Sequence, residues 1–103
     1  MPESARDFFE SLPARLDPAK TADLEASYRF DIAGAGSWRV GVSGGAVAVD
    51  ESQAAADCVI QMSDETFSKL RNGRASPMTS FMTGKIKVKG DMALAAQLKA
   101  LFF

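Results

Sequence analysis

Histidine is absent from the sequence, and cysteine occurs only once, at Cys58. Without histidine, Ser-His-Asp and Cys-His catalysis and every histidine-ligated metal site are excluded. A single cysteine excludes internal disulfides, cysteine-based zinc sites and iron–sulfur clusters. No apolar run approaches the roughly 20 residues that a membrane span needs. These absences remove the usual ligands of zinc and iron sites, and no cofactor is predicted.

Neither end of the sequence resembles a targeting signal. Residues 1–7 are acidic where a secretory signal peptide would be basic and then apolar. The last three residues, Leu101, Phe102 and Phe103, are not a peroxisomal tripeptide. Together with the scarcity of cysteine, these features predict a cytoplasmic protein.

Branched aliphatic residues are few. Val, Ile and Leu number 16 among 103 residues, while Met and Phe together number 12. A chain of this length forms one domain and buries roughly 65% of the surface that its unfolded form exposes. We therefore expect a single domain over residues 1–103, with an interior rich in flexible thioethers and large rings.

The net charge is only −1, but it is unevenly distributed along the chain. Residues 1–66 contain five basic and twelve acidic side chains, whereas residues 67–103 contain seven basic and one acidic. A fold that gathers the later residues on one face would present a basic surface to an anionic partner. A fold that interleaves the two parts would cancel most of this field.

The first half of the chain changes from a helical period to a strand period. Apolar spacing predicts a helix over residues 3–16, and Asp17-Pro18 predicts the start of a short second helix. From residue 24 the apolar side chains alternate. Turns at Gly34-Ala35-Gly36 and Gly44-Gly45 then predict three antiparallel strands in a meander.

The second half alternates strands with short helices. A fourth strand is predicted over residues 56–62, and a fifth over residues 85–89. Helix starts are predicted at Ser63, at Ser76-Pro77 and at Asp91. Each strand has one apolar face, which predicts an α+β fold in two layers, with helices on one face of the sheet.

The residues offer little catalytic chemistry. Cys58 lies on the predicted inward face of a strand with no histidine to activate it, so it is interpreted as a small buried side chain. The carboxylate pairs Asp50/Glu51 and Asp64/Glu65 fall at a turn and in a helical first turn, where solvation and capping explain them. Gly34-x-Gly36 and Gly84-Lys85 do not complete a nucleotide-binding motif.

Three lysines, Lys85, Lys87 and Lys89, line one face of the predicted fifth strand. The first interpretation is that their charge protects an edge strand from aggregation. The second is a contact with anionic lipid head groups or with an acidic partner. Nucleic acid binding is not predicted, because the chain is not basic overall and no aromatic side chains interleave with the lysines.

Large apolar residues are concentrated in the last 37 positions. Each taken alone is interpreted as part of the core. Taken together, Met and Phe residues specify tight packing poorly but line an adaptable apolar cavity well. A hydrophobic ligand pocket is therefore the alternative to a simple core. The set is Phe67, Leu70, Met78, Phe81, Met82, Met92, Leu98, Leu101, Phe102 and Phe103.

Residues 56–67, 70–77 and 81–92 resemble the sterol carrier protein type 2 domain family. The most specific part is the run Phe-x-x-Gly-Lys-x-x-x-x-Gly-Asp/Asn, which extends from Phe81 to Asp91. The resemblance covers roughly residues 5–101. It implies a five-stranded mixed sheet covered on one face by about five helices, which together enclose an apolar tunnel.

The resemblance also implies which residues contact a ligand. Positions that match the tunnel wall of the family carry apolar side chains, and Thr83 matches a position where some relatives place a polar side chain. The tunnel residues implied in this way are Phe67, Leu70, Met78, Phe81, Met82, Thr83, Ile86, Leu98, Leu101 and Phe102. The last helix, with Leu101, Phe102 and Phe103, is the expected gate.

The function that follows from the resemblance is non-enzymatic binding and transfer of a lipid in a hydrophobic tunnel. The expected ligand is a sterol, a fatty acid, a fatty acyl-CoA or a phospholipid, and a transient contact with a membrane surface is expected with it. The alternative is an accessory or scaffold domain that presents a lipid or a quinone precursor to a partner enzyme. Enzymatic activity through Cys58 is the third possibility.

Overall fold

A computed structural model of the chain describes residues 5–15, 22 and 24–97. Within these residues it contains five strands and four helices in the predicted order. They are α1 (Ala5–Arg15), β1 (Ala26–Ala33), β2 (Gly36–Ser43), β3 (Ala46–Asp50), β4 (Cys58–Ser63), α2 (Asp64–Arg71), α3 (Pro77–Met82), β5 (Ile86–Gly90) and α4 (Met92–Ala95). The predicted helix after Asp17-Pro18 and the predicted continuation of the last helix from Leu98 onwards lie outside the described residues.

The five strands form one mixed sheet in the order β3-β2-β1-β4-β5. The predicted meander is confirmed, because β1 pairs antiparallel with β2 and β2 antiparallel with β3. Strand β4 lies parallel to β1, with Phe30 opposite Ile60, and β5 closes this side antiparallel to β4. The predicted α+β class, a mixed sheet with helices on one face, is confirmed, and the tunnel stays a prediction.

The core lies between the sheet and the first two helices of the described chain. Alternate strand residues, such as Tyr28, Phe30, Val40 and Ile60, are completely buried. From α1, Phe9 stacks against the ring of Trp38, with 4.8 Å between ring centroids. Apolar burial and these ring contacts hold the helical layer on the sheet.

The opposite face of the sheet is polar and carries the connection from β3 to β4, which we call the crossing loop (residues 51–57). It passes over β2 and β1 to reach β4. Arg29 Nη1 donates to the carbonyl oxygen of Gln53 at 2.9 Å, and Arg39 Nε donates to that of Ala55 at 3.1 Å. The arginines of the polar face therefore fix the path of this loop by satisfying its carbonyl groups.

Asp57 at the end of the crossing loop ties three elements together. Its backbone N–H donates to Ser27 Oγ at 2.9 Å, and its carboxylate accepts from the Ser27 N–H at 3.1 Å. Its carbonyl oxygen accepts from the Asp91 N–H at 2.9 Å. Gly90 passes so close to this carbonyl that a Cβ atom would collide with it, and its φ of 97° also favours glycine.

Candidate functional site

An apolar cavity of about 510 Å³ opens between α3, β5 and α4. This volume lies within the range of ligand sites in proteins. The wall combines thioether, aromatic and aliphatic side chains with two hydroxyl-bearing residues. The lining residues are Ser76, Pro77, Met78, Thr79, Phe81, Ile86, Val88, Met92, Ala95 and Ala96.

Local sequence chemistry places the α3 wall of the cavity. Ser76 caps the helix by accepting the Thr79 N–H at 3.1 Å, and Pro77 occupies its first turn. Gly84, with a φ of 78°, then reverses the chain, and the Lys85 N–H donates to the carbonyl oxygen of Ser80 at 2.8 Å. This turn places α3 beside β5, so that Phe81 and Ile86 share the cavity.

The α4 wall is fixed at its start and along its length. Asp91 Oδ1 accepts the backbone N–H groups of Ala93 at 2.9 Å and Leu94 at 3.3 Å. Tyr28, buried in β1, donates its phenolic hydroxyl to the carbonyl oxygen of Leu94 at 3.1 Å. Capping and this bond hold Met92 and Ala95 over the cavity.

Among the described residues, no charged side chain lines the cavity. Burial, with the charges of Asp91 and Asp57, raises the pKa of the Cys58 thiol to about 11, and burial raises the pKa of Tyr28 to about 12. Neither group contributes to the cavity wall, and both stay protonated at neutral pH. The site therefore suits the binding of an apolar molecule by desolvation, and the part of its wall that the structure describes offers no acid, base or nucleophile.

The structure separates the residues that the family resemblance nominated into four groups. Met78, Phe81 and Ile86 come together in the cavity wall. Met82 ends α3 and Thr83 is its C-cap, but neither lines the cavity, and the Thr83 hydroxyl donates to the carbonyl oxygen of Thr79 at 3.0 Å. The positions outside the described residues are Leu98, Leu101 and Phe102, with the expected gate residue Phe103.

Phe67 and Leu70 belong to the closed core instead of the cavity wall. The ring of Phe67 stacks on Phe9 at 5.5 Å and meets the edge of Phe8 at 5.1 Å. Both nominated residues are almost completely buried. Phe67 packs against these rings of α1, and both residues belong to the same buried core cluster. A contact of either residue with a ligand stays a prediction.

Sequence reasoning did not nominate several residues of the cavity wall. Val88 faces the cavity from β5, and it could have been found by the same alternation that places Ile86 there. Met92, in the first turn of α4, belonged to the apolar set of the last 37 residues, but the family resemblance did not nominate it. Ala95 and Ala96 carry no such signal, since small apolar residues line cores and cavities alike.

A second groove, of about 630 Å³, lies on the polar face of the sheet. It is lined by Asp31, Gln61, Lys85, Lys87 and backbone of the β1–β2 turn, among others. Partial burial raises the pKa of Asp31, but hydrogen bonds from Arg29 and Ser37 outweigh that and leave it below its usual range. This groove is charged and open, so it does not suit an aliphatic chain.

Within the described ranges there is no cluster of side chains suited to hold a metal ion. None of the helices that the structure describes is long and apolar enough to cross a membrane. The apolar cavity is therefore the candidate ligand site among the described residues.

Comparison with known sequences identifies relatives that are much longer than this chain. Hydroxysteroid dehydrogenase-like protein 2 of Bos taurus is 38% identical over 81 residues, which is 75% of this chain and 19% of the relative. The protein of the same name from Danio rerio is 31% identical over 92% of this chain and 24% of its own length. The chain thus spans less than a quarter of these relatives.

Comparison of structures gives the same fold in separate domains and in larger enzymes. The sec-alkylsulfatase Pisa1 from Pseudomonas sp. superimposes with a TM-score of 0.83 at 17% identity over 97% of this chain and 16% of its own. Palmitated SCP2L2 from Aedes aegypti superimposes with a TM-score of 0.74 at 22% identity, over 95% of this chain and 93% of its own. The ubiquinone synthesis protein UbiJ-SCP2 superimposes with a TM-score of 0.63 at 22% identity, over 90% of this chain and 81% of its own.

At these identities the structural matches show the fold alone. The family model described as the SCP-2 sterol transfer family matches residues 8–103, which includes every strand and all but the first residues of α1. The resemblance noted in the sequence is thereby confirmed. The chain belongs to the SCP-2 sterol transfer family.

Proposed function

We propose that the domain binds a lipid in the cavity between α3, β5 and α4 and transfers it without catalysing a covalent step. The observation that carries this proposal is the composition of the cavity wall. It combines flexible Met78 and Met92 with Phe81 and Ile86, and none of its described residues is charged. Such a wall accepts an apolar chain of variable shape and gains affinity by removing it from water.

The proposed ligand enters the cavity with its aliphatic part. Each buried CH₂ contributes about 0.8 kcal/mol, so a long acyl chain binds without polar contacts. A carboxylate or phosphate head group would remain outside, because the described residues of the wall offer it no cation. The related Aedes protein was solved as a palmitated form, which makes a fatty acid the first ligand to test. A sterol, a fatty acyl-CoA and a phospholipid are the further candidates.

Two alanines of α4 provide a matched test. Ala95 lines the cavity, whereas Ala93 is exposed on the same helix and does not. Ala95→Phe should weaken binding of a fluorescent fatty acid about tenfold or more, equivalent to the loss of two buried CH₂ groups. Ala93→Phe should leave the affinity unchanged. Equal affinities for the two variants, with both folded, would contradict the proposed cavity.

Native mass spectrometry of the purified protein tests whether a lipid is bound at all. We expect a mass increment that extraction identifies as a lipid. A protein that is purified empty and also ignores fatty acids in solution would oppose the proposal independently of any variant.

The second candidate function is that of an accessory domain that presents a lipid or a quinone precursor to an enzyme. It is favoured by the matches to short parts of a dehydrogenase-like protein and of an alkylsulfatase, and by the match to a ubiquinone synthesis protein. Transfer of a fluorescent fatty acid between vesicles by the isolated chain would support the carrier. Capture of an enzyme only when lipid is bound, with no unaided transfer, would support the accessory domain.

A further inference from the structure

Four large apolar side chains are exposed among the described residues, and all of them lie on α3 and α4. They are Met78, Phe81, Met82 and Met92. Met78 and Met82 are one helical turn apart and are 72% and 78% exposed. The cavity accounts for Met78, Phe81 and Met92, which line it. It does not account for Met82, which is the most exposed of the four.

Unpaired positive charge lies beside this methionine pair. Residues 72–90 contain four basic side chains and no acidic one. Lys85 follows α3 directly, held there by its backbone bond to Ser80. Lys87 and Lys89 continue along β5, which is the last strand on this side of the described sheet. None of the three lysines forms an ion pair within the described ranges.

Strand β5 divides the two sets of side chains. Ile86 and Val88 face the cavity, whereas the lysines that alternate with them project from the other face of the strand. The β5 side of the domain therefore presents methionines from the helical layer and lysines from the sheet. We call this surface the methionine–lysine edge (Met78, Met82, Lys85, Lys87 and Lys89).

We propose that the methionine–lysine edge docks on the surface of an anionic lipid bilayer. In that orientation the thioether side chains enter the interfacial layer, and the lysines contact negatively charged head groups. Protection of an edge strand explains the lysines alone, but it gives no reason for two exposed methionines next to them. Docking by this edge also places Met78, which is exposed and lines the cavity, against the bilayer.

This inference goes beyond the proposed function, because docking on a bilayer requires no ligand in the cavity. Binding to vesicles and binding of a fatty acid in solution are separate measurements. A domain that docks but binds no lipid would refute the carrier alone. A domain that binds fatty acid but not anionic vesicles would refute the docking surface alone.

A single fluorescent label tests where the domain meets the bilayer. Cys58 is completely buried, and its raised pKa keeps it a thiol, so a cysteine introduced at Met82 reacts selectively. The matched control is Ala48→Cys, because Ala48 is exposed on β3 at the opposite edge of the described sheet. Both variants receive the same environment-sensitive dye and are mixed with phosphatidylcholine vesicles, with or without phosphatidylserine.

We expect a blue-shifted and stronger emission for the dye at position 82 with the phosphatidylserine vesicles, and no change for the dye at position 48. Equal responses at the two positions, or equal responses with and without phosphatidylserine, would overturn the proposal. An absence of any vesicle binding would also overturn it and would leave an acidic protein as the partner for this edge.

Unlabelled variants separate the contributions of charge and apolar contact. Lys85→Gln should weaken binding to phosphatidylserine vesicles about fivefold, the value of one cation near an anionic surface. Lys69→Gln removes the same charge from α2, where Lys69 pairs with Glu65 at 3.3 Å, and should have less effect. Met82→Gln should reduce vesicle binding about threefold or more while fatty acid binding in solution is unchanged. Equal losses for Lys85→Gln and Lys69→Gln would show that only net charge matters, contrary to the proposal.

Discussion

Tyr28 and Leu94, 66 residues apart in sequence, are joined by a hydrogen bond of 3.1 Å from the phenolic hydroxyl to the backbone carbonyl. The bond connects the buried centre of β1 with α4, the helix that forms one wall of the cavity. Tyr28 lies in the sheet and does not line the cavity, but its hydrogen bond positions the helix that does.

Removal of this bond should affect both stability and ligand binding. Tyr28→Phe leaves the Leu94 carbonyl without this donor, and we expect unfolding to become about 1 kcal/mol easier. Fatty acid affinity should also change, because α4 is held less firmly over the cavity. Urea unfolding followed by the fluorescence of Trp38, the single tryptophan, measures the first effect.

The control for Tyr28→Phe is a change of similar size far from α4. Ser63 caps α2 by accepting the Thr66 N–H at 3.1 Å, and Ser63→Ala should also cost about 1 kcal/mol. It should leave fatty acid affinity unaltered. If the two variants change affinity equally, the bond to Leu94 has no special role at the cavity.

The stability of the domain should fall at alkaline pH in a defined window. Burial raises the pKa of Cys58 from 9.0 to about 11 and that of Tyr28 from 10.0 to about 12. Between pH 9 and 12 the unfolded chain loses these protons before the folded chain does, so the free energy of unfolding decreases as pH rises. Each group adds at most about 1.4 kcal/mol per pH unit to this slope.

Cys58→Ala tests whether the Cys58 thiol causes the loss of stability between pH 9 and 11. It should flatten the dependence of unfolding free energy on pH between pH 9 and 11, even if it lowers stability at neutral pH. Urea titrations at a series of pH values give the slope directly. An unchanged slope in the variant would show that the thiol does not titrate differently in the folded chain.

Crowding at Gly90 should make it far less tolerant than Gly84. Both residues have a positive φ, which costs another residue about 1–2 kcal/mol, but only at Gly90 would a Cβ atom meet the Asp57 carbonyl. Overpacking should add about 1–3 kcal/mol to the cost of Gly90→Ala. Chemical unfolding of the two variants measures the difference, and equal losses would contradict the close approach.

Truncation of Phe67 should mainly reduce stability, whereas truncation of Phe81 should mainly reduce fatty acid affinity. Phe67→Ala should cost about 3–5 kcal/mol of stability, because its ring is enclosed by Phe8 and Phe9. Phe81 is 43% exposed and lines the cavity, so Phe81→Ala should cost less than about 1.5 kcal/mol but weaken fatty acid binding. A strong effect of Phe67→Ala on affinity in a folded protein would place that ring at the ligand after all.

The elements most accurately predicted from the sequence are those set by neighbouring residues. Ser63, Ser76 and Asp91 cap helices as expected, because an N-cap depends on a side chain and the backbone two or three positions later. The alternation of β1 and β2 likewise predicted their buried faces. Local chemistry was sufficient for the order of the elements and for the fold class.

The cavity was less accessible to such reasoning. Phe67 and Phe81 are both apolar residues at helical spacing, and the sequence does not distinguish a ring packed by α1 from a ring beside an opening. That difference depends on where α1 lies on the sheet, which is a contact between distant parts of the chain. The family resemblance placed both residues in one set because it assigns roles by sequence position. It gives no information about the packing around each side chain.

The crossing loop has a consequence for the order in which the domain folds. Arg29 and Arg39 bind the Gln53 and Ala55 carbonyls of the loop, and they are paired residues of neighbouring strands β1 and β2. Both hold the loop only once the β1–β2 hairpin has its native register. We expect the local β1–β2 hairpin to form first, and the long-range parallel pairing of β4 with β1 to follow. A one-residue slip in the hairpin would turn one of the two arginines to the other face and stall this step before the cavity wall could form.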